Sequence, residues 1–247
     1  MNILYEDENI IVCHKEAGVA TQSADMRSKD VVSLVKTHLV RQARKNKVRL
    51  SGEPYVGLIH RLDQPVEGIL VLAKDKDSAA KLSKQVTDNK IEKHYVAVVE
   101  GAPDDTKEHI SKKISEDGTV YIEDEIIKNT EGNAQIVTGL SDADIAVKLS
   151  DSESKKVSKL EYKVTASGDG KSKLDIHLIT GRFHQIRATC AHLGCPIVGD
   201  ERYGAKEKLH NGVIALCSYR LQFIHPVKGD VMNFVIEPTD SVFQFTK

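Results

Sequence analysis

The amino-acid sequence predicts an α+β fold, on two observations. Short apolar runs recur along the chain and are closed by turn-forming residues, the pattern of β-strands. Two other segments, beginning at Asp30 and at Asp77, space their apolar residues at helical intervals. With 247 residues the chain can bury a sizeable core, as one large domain or two small ones.

In chain order, Ile3-Leu4 and Ile10–Cys13 fit two short strands, ending at Ala17-Gly18. From Asp30, Val31, Leu34, Val35, His38 and Leu39 line one side of a helix that Ser28 or Asp30 can cap. Arg41, Arg44, Lys45, Lys47 and Arg49 follow, with no acid between Asp30 and Glu53. A basic run is usually a solvated helix end. In a chain this close to neutral it is also a candidate phosphate contact, carried by Arg44 and Lys45.

Val56–Ile59 and Ile69–Ala73 read as buried strands. Asp77–Asn89 reads as a helix with Ala79, Leu82 and Val86 on one side, and Lys93–Gly101 as a strand with Lys93 and Tyr95 on one face. Residues 103–158 are acid-rich and weakly periodic, and read as short strands and long loops: an excursion, not a second domain. Leu160–Val164 and Leu174–Thr180 return to strands. A helix follows Gly181, with Ile186, Cys190 and Leu193 inward and Gly194 as its left-handed cap. Val213–Cys217, Arg220–Ile224 and Phe234–Glu237 close the sheet.

Apolar residues make up 40% and charged residues 29%, ordinary for a soluble protein. Thirty-five Lys and Arg against 36 Asp and Glu leave a net charge of −1, so any nucleic-acid contact must come from a local patch. The four cysteines form no C-x-x-C pair and no H-E-x-x-H occurs, which points to buried free thiols and no metal site. Met1-Asn2-Ile3 runs into charged residues without an apolar leader, and Ile69–Ala73 is far too short to cross a bilayer. A cytoplasmic protein is expected.

The most informative stretch is H-R-L-D at 60–63, set between the two apolar runs and followed by Pro65 and Gly68. A rigid sheet would then hold a loop bearing an imidazole, a guanidinium and a carboxylate, a common site for chemistry. Taken alone, Asp63 reads as a turn cap and Arg61 as its solvated neighbour. The kinase loop H-R-D is excluded because its Gly-rich loop and D-F-G partners are absent.

H-R-L-D continues into G-x-L-V-x-A-K at 68–74. K-x-Y follows at 93–95, T-G-R-x-H-Q-I-R at 180–187, and G-x-P-I-x-G-D-x-x-Y-G at 194–204. In this order the blocks resemble the RluA-type pseudouridine synthases, RNA uridine isomerases, with weaker echoes out to about residue 237. The resemblance implies one α+β catalytic domain over residues 1–247, with a central, mainly antiparallel sheet flanked by helices and no separate N-terminal RNA-binding module. It implies a monomer acting on ribosomal or transfer RNA, with no cofactor, metal or membrane.

By the same resemblance Asp63 is the catalytic carboxylate. Arg187 is its charge partner, since a guanidinium binds a carboxylate through paired bonds. Tyr95 packs on the target base. Arg61 fills the space that base vacates, and His60, Arg182, His184 and Gln185 orient the loop or contact phosphate. Two departures stand out: Val66-Glu67 where relatives carry Thr-Ser, which sets an acid beside the expected RNA cleft, and K-E-A-G at 15–18 where they carry K-P-A-G. Two other readings remain, an RNA-binding homologue without activity and a metal-dependent nuclease.

Overall fold

The structure, a computed structural model, describes residues 2–24, 29–149 and 154–244. The chain divides into two compact units, Met1–Glu92 with Ser218–Pro238 and Lys93–Cys217 with Thr239–Lys247.

In the first unit β1 (Asn2–Glu6) pairs antiparallel with β2 (Ile10–Lys15), and β2 with β4 (Glu67–Ala73). The two-residue β3 (Gly57–Leu58) pairs with the end of β4. All seven β4 residues are buried, so its near-continuous apolar run belongs to a strand covered on both faces. Each large aliphatic there contributes about 1.5–3 kcal/mol relative to exposure.

Helix α1 (Val31–Lys45) starts at Asp30, whose carboxylate accepts from Ser33 N at 2.7 Å while Ser33 Oγ accepts from Asp30 N at 3.1 Å. The alternative cap, Ser28, lies outside the described residues. Leu82 of α2 (Lys76–Thr87) joins Ile10, Val12, Ile69, Val71 and Phe223 in the core.

The second unit is ordered β5 (Glu92–Glu100), β10 (Lys171–Leu178), β9 (Lys156–Gly168), β7 (Val120–Lys128) and β6 (Ser111–Ile114), with β8 (Ala134–Ile136) also on β7. Each of these strand pairs is antiparallel. Helix α4 (Gln185–His192) lays Ala188 against Ile126, Ala134 and Ile136, and Gly194 follows it at φ 72°. The chain passes between the units within β11 (Leu216–Ile224), whose later residues pair with β12 (Val231–Val235).

The α+β class and mainly antiparallel strands agree with the sequence-based expectation, and all four cysteines are buried and outside any disulfide. Residues 103–158 are more regular than expected. They hold β6, β7, β8 and α3 (Asp142–Lys148), and seven β7 residues pair with β9. The inward face of β7 carries Asp124 between Ile122 and Ile126, which hides the alternation. That buried carboxylate lies 3.0 Å from His109 Nδ1 and accepts from Thr138 Oγ1 at 3.1 Å. Among the described residues no helix is long and apolar enough to cross a membrane.

Candidate active site

In the first unit Asp63 stands half-buried on the loop between β3 and β4. Its carbonyl closes a turn by accepting from Val66 N at 3.0 Å. Leu62, just before it, donates its N–H to Thr21 Oγ1 (3.2 Å), and the Thr21 hydroxyl donates to the Leu62 carbonyl (2.7 Å). The Gln64 carbonyl, just after it, accepts from Gly18 N (2.8 Å) and Lys15 Nζ (3.1 Å). The carboxylate is thus presented by backbone fastened on both sides.

Lys15 is 1% exposed, and its ammonium also donates to the carbonyls of Val19 (2.6 Å) and Glu16 (3.1 Å). Burial pulls its pKa down to about 8, opposed by the charges of Asp63 and Glu67, so the amine is mostly protonated at neutral pH.

Glu67 does not face a cleft: it is 3% exposed and its carboxylate lies 2.7 Å from His14 Nε2. Gly68 runs at φ 149°, and a Cβ there would stand 2.5 Å from Ser218 Cβ, so only glycine lets β4 pass. His60 Nε2 accepts from Val71 N at 3.4 Å. Arg61 is exposed, as are Arg44 and Lys45 at the end of α1 and Arg41, Lys47 and Arg49 around them.

In the second unit Tyr95 is 6% exposed on β5, opposite Ile176 of β10. The T-G-R-x-H-Q-I-R block forms the entrance to α4. Gln185 is buried and its amide is used internally: Oε1 accepts from Thr180 Oγ1 (2.9 Å) and Arg182 N (3.0 Å), and Nε2 donates to the Lys159 carbonyl (3.0 Å). It orients the loop and does not reach out for phosphate. Arg182 is exposed, its head steadied by Nε donating to the Val157 carbonyl at 2.9 Å.

Arg187 is the centre of this unit's network. Its Nε and Nη2 donate to the two oxygens of Asp200, both at 2.7 Å, in a pair buried on both sides. Nη1 donates to His184 Nε2 at 3.1 Å, and Cζ lies 4.8 Å from the Tyr203 ring centroid. Because arginine only donates, His184 Nε2 is the acceptor, and the proton sits on Nδ1, which bonds Tyr203 Oη at 2.9 Å. Burial, then the charges of Arg187 and Arg202, push the His184 pKa down to about 3. At neutral pH it is an uncharged spacer and not a phosphate-binding cation.

Three contributors escaped the sequence reading. Asp200 and Tyr203 lie in the quoted G-D-x-x-Y-G run, yet their pairing with α4 is long-range and leaves no periodic trace. Lys15 was visible in K-E-A-G, but nothing in the chain marks a lysine as buried. One cluster offers metal-type donors: His109, Asp124 and His192 each bring one ligand atom within 4.8 Å of the others. Asp124 is already bonded there to Thr138, and His192 Nε2 to the Glu108 carbonyl.

Residues 9–192 match the family model described as RNA pseudouridylate synthase. The chain is 30% identical over 249 residues to ribosomal large subunit pseudouridine synthase C of Buchnera aphidicola from Acyrthosiphon pisum, covering 98% of this chain and 68% of that protein. It is 31% identical over 206 residues to the synonymous Rickettsia conorii protein, covering 83% of this chain but only 57% of the relative. The fold is shared with human RNA pseudouridylate synthase domain containing 4, at a TM-score of 0.70 and 22% identity over 98% of this chain and 90% of that one.

Proposed function

The chain belongs to the RNA pseudouridylate synthase family, which makes it an isomerase, and from that premise we propose that Asp63 is its catalytic carboxylate and that the uridine lies in ribosomal or transfer RNA. The reaction breaks the bond from sugar carbon to base nitrogen and remakes it to carbon 5 of the base. The nitrogen gains a proton, carbon 5 loses one, and no electrons are exchanged. An ionised carboxylate serves this step as nucleophile or as counter-charge to an electron-poor sugar.

The observation that carries the reading is the double fastening of the Asp63 loop through Leu62 and Gln64. A reacting group held this way loses little freedom in the transition state. Arg187 is assigned, as the resemblance implies, to be the charge partner of the catalytic carboxylate. Tyr95 is assigned to pack on the base and receive the carbon-5 proton. Arg61 is assigned to the space the extruded base leaves, and Arg44, Lys45 and Arg182 to RNA phosphates. The names of the relatives favour ribosomal over transfer RNA.

Tritium release from RNA labelled at uridine carbon 5 tests the assignment. Asp63→Ala should reduce release by about 10⁴-fold or more, with the fold intact. Equal release by variant and wild type would remove Asp63 from the chemistry. Mapping pseudouridines in cells with and without the protein identifies the RNA.

A further inference from the structure

Three segments of the second unit meet at a cluster that the uridine chemistry does not use. His109 comes from the loop before β6, Asp124 from β7 and His192 from the last turn of α4. One donor atom of each lies within 4.8 Å of the other two. The side chains of His109 and Asp124 are 1% and 2% exposed. His192 is half-buried and also borders a cavity of about 300 Å³, which gives an ion a route to its ring.

Each ring has one nitrogen committed to an acceptor. His109 Nδ1 lies 3.0 Å from both oxygens of Asp124, and an ionised carboxylate only accepts, so Nδ1 carries the proton. His192 Nε2 donates to the Glu108 carbonyl at 3.1 Å. In the neutral rings the lone pairs therefore sit on His109 Nε2 and His192 Nδ1. His109 Nε2 is buried with no hydrogen-bond partner among the described residues, a rare state for a polar atom. The two rings meet edge to face with centroids 5.6 Å apart.

Histidines that hold a metal have this arrangement, one nitrogen free and the other donating to a carboxylate or a backbone carbonyl. Imidazole nitrogens select a transition-type ion such as Zn²⁺ over Mg²⁺ or Ca²⁺, which take oxygen. We propose that His109 Nε2 and His192 Nδ1 bind one zinc-type divalent ion, with Asp124 and the Glu108 carbonyl fixing the rings and water completing the coordination. The ion staples the loop before β6, and β7 through Asp124, to the end of the helix whose first turn carries Arg187. Its role is structural, and the inference does not depend on the isomerase assignment. No linear motif announces it, because the three residues stand far apart along the chain.

The test is titration of the metal-stripped protein with Zn²⁺ against a coloured competing chelator. Wild type should take up one ion per chain saturably, and a large excess of Mg²⁺ should not displace it. His192→Ala, at a half-buried position, should lose that ion. Asp124→Asn should bind it about 10- to 100-fold more weakly. His210→Ala, which removes an exposed histidine outside the cluster, should bind it like wild type. Zinc should also raise the thermal unfolding midpoint of wild type and leave that of His192→Ala unchanged. If Asp124→Asn does not fold, the comparison of wild type with His192→Ala decides alone. A wild type without saturable uptake overturns the site and leaves a trapped water as the partner of His109 Nε2. So does His192→Ala binding zinc as wild type does, or His210→Ala losing it.

Discussion

The two units hold their functional groups by opposite means. Around Asp63 the fastening runs through main chain: Leu62 and Gln64 offer backbone groups, and Thr21, Gly18 and Lys15 meet them. Around Arg187 side chains carry it, from guanidinium to the Asp200 carboxylate, the His184 ring and, through it, the Tyr203 phenol, which also accepts from Ala134 N. Leu62 and Gln64 take part only through main-chain groups, whatever their side chains, whereas the network around Arg187 needs the side chain of each member.

The contrast is sharpest if one member is removed from each side, and the larger loss should come from the second unit. Asp200→Asn leaves a buried guanidinium without its counter-charge. We expect it to cost about 3–5 kcal/mol in urea unfolding, and tritium release to fall with it. Asp200→Leu combined with Arg187→Met should cost less than the two single changes together, because the pair then leaves as a unit. A loss from Asp200→Asn below about 1 kcal/mol would place the pair among surface ion pairs and dissolve the contrast.

In the first unit Thr21→Val removes one hydroxyl and leaves both polar groups of Leu62 without it. A cost of about 1–3 kcal/mol is expected. The more telling readout is kinetic. If the hydroxyl keeps Asp63 in register, kcat should fall about 10- to 100-fold with KM little changed. An equal rise in KM would mean that the loop binds RNA and does not position the carboxylate.

The same division explains what could be read in the chain. Strands β2, β4 and β5 and helices α1 and α2 were legible because their inward residues recur at fixed intervals and, for α1, because the Asp30 cap is local. Asp63, Arg187 and Tyr95 could be singled out as candidates because they lie inside linear blocks. Helix α3 was not: it buries only Ile145 among acids. Nor was β7, where a buried carboxylate interrupts the apolar face. Asp200 and Lys15 were in plain view as letters, but their roles come from partners 13 and 49 residues away, which no local window reports.

The smallest effect tests the charge state on which the side-chain network rests. His184 titrates near 3 when folded against 6.5 when free, so the unfolded chain takes the proton first. Its contribution is complete above pH 6.5 and drains away as the pH falls toward 3, at up to about 1.4 kcal/mol per pH unit. His184→Asn keeps a residue that tolerates the left-handed backbone but carries no titrating ring. Its stability at neutral pH should be lower and its decline between pH 6 and 4 shallower than that of the wild type. Parallel declines would mean that folding does not lower the imidazole's pKa. The ring would then take a proton as readily as a free histidine, and Arg187 would face repulsion where the network needs an acceptor.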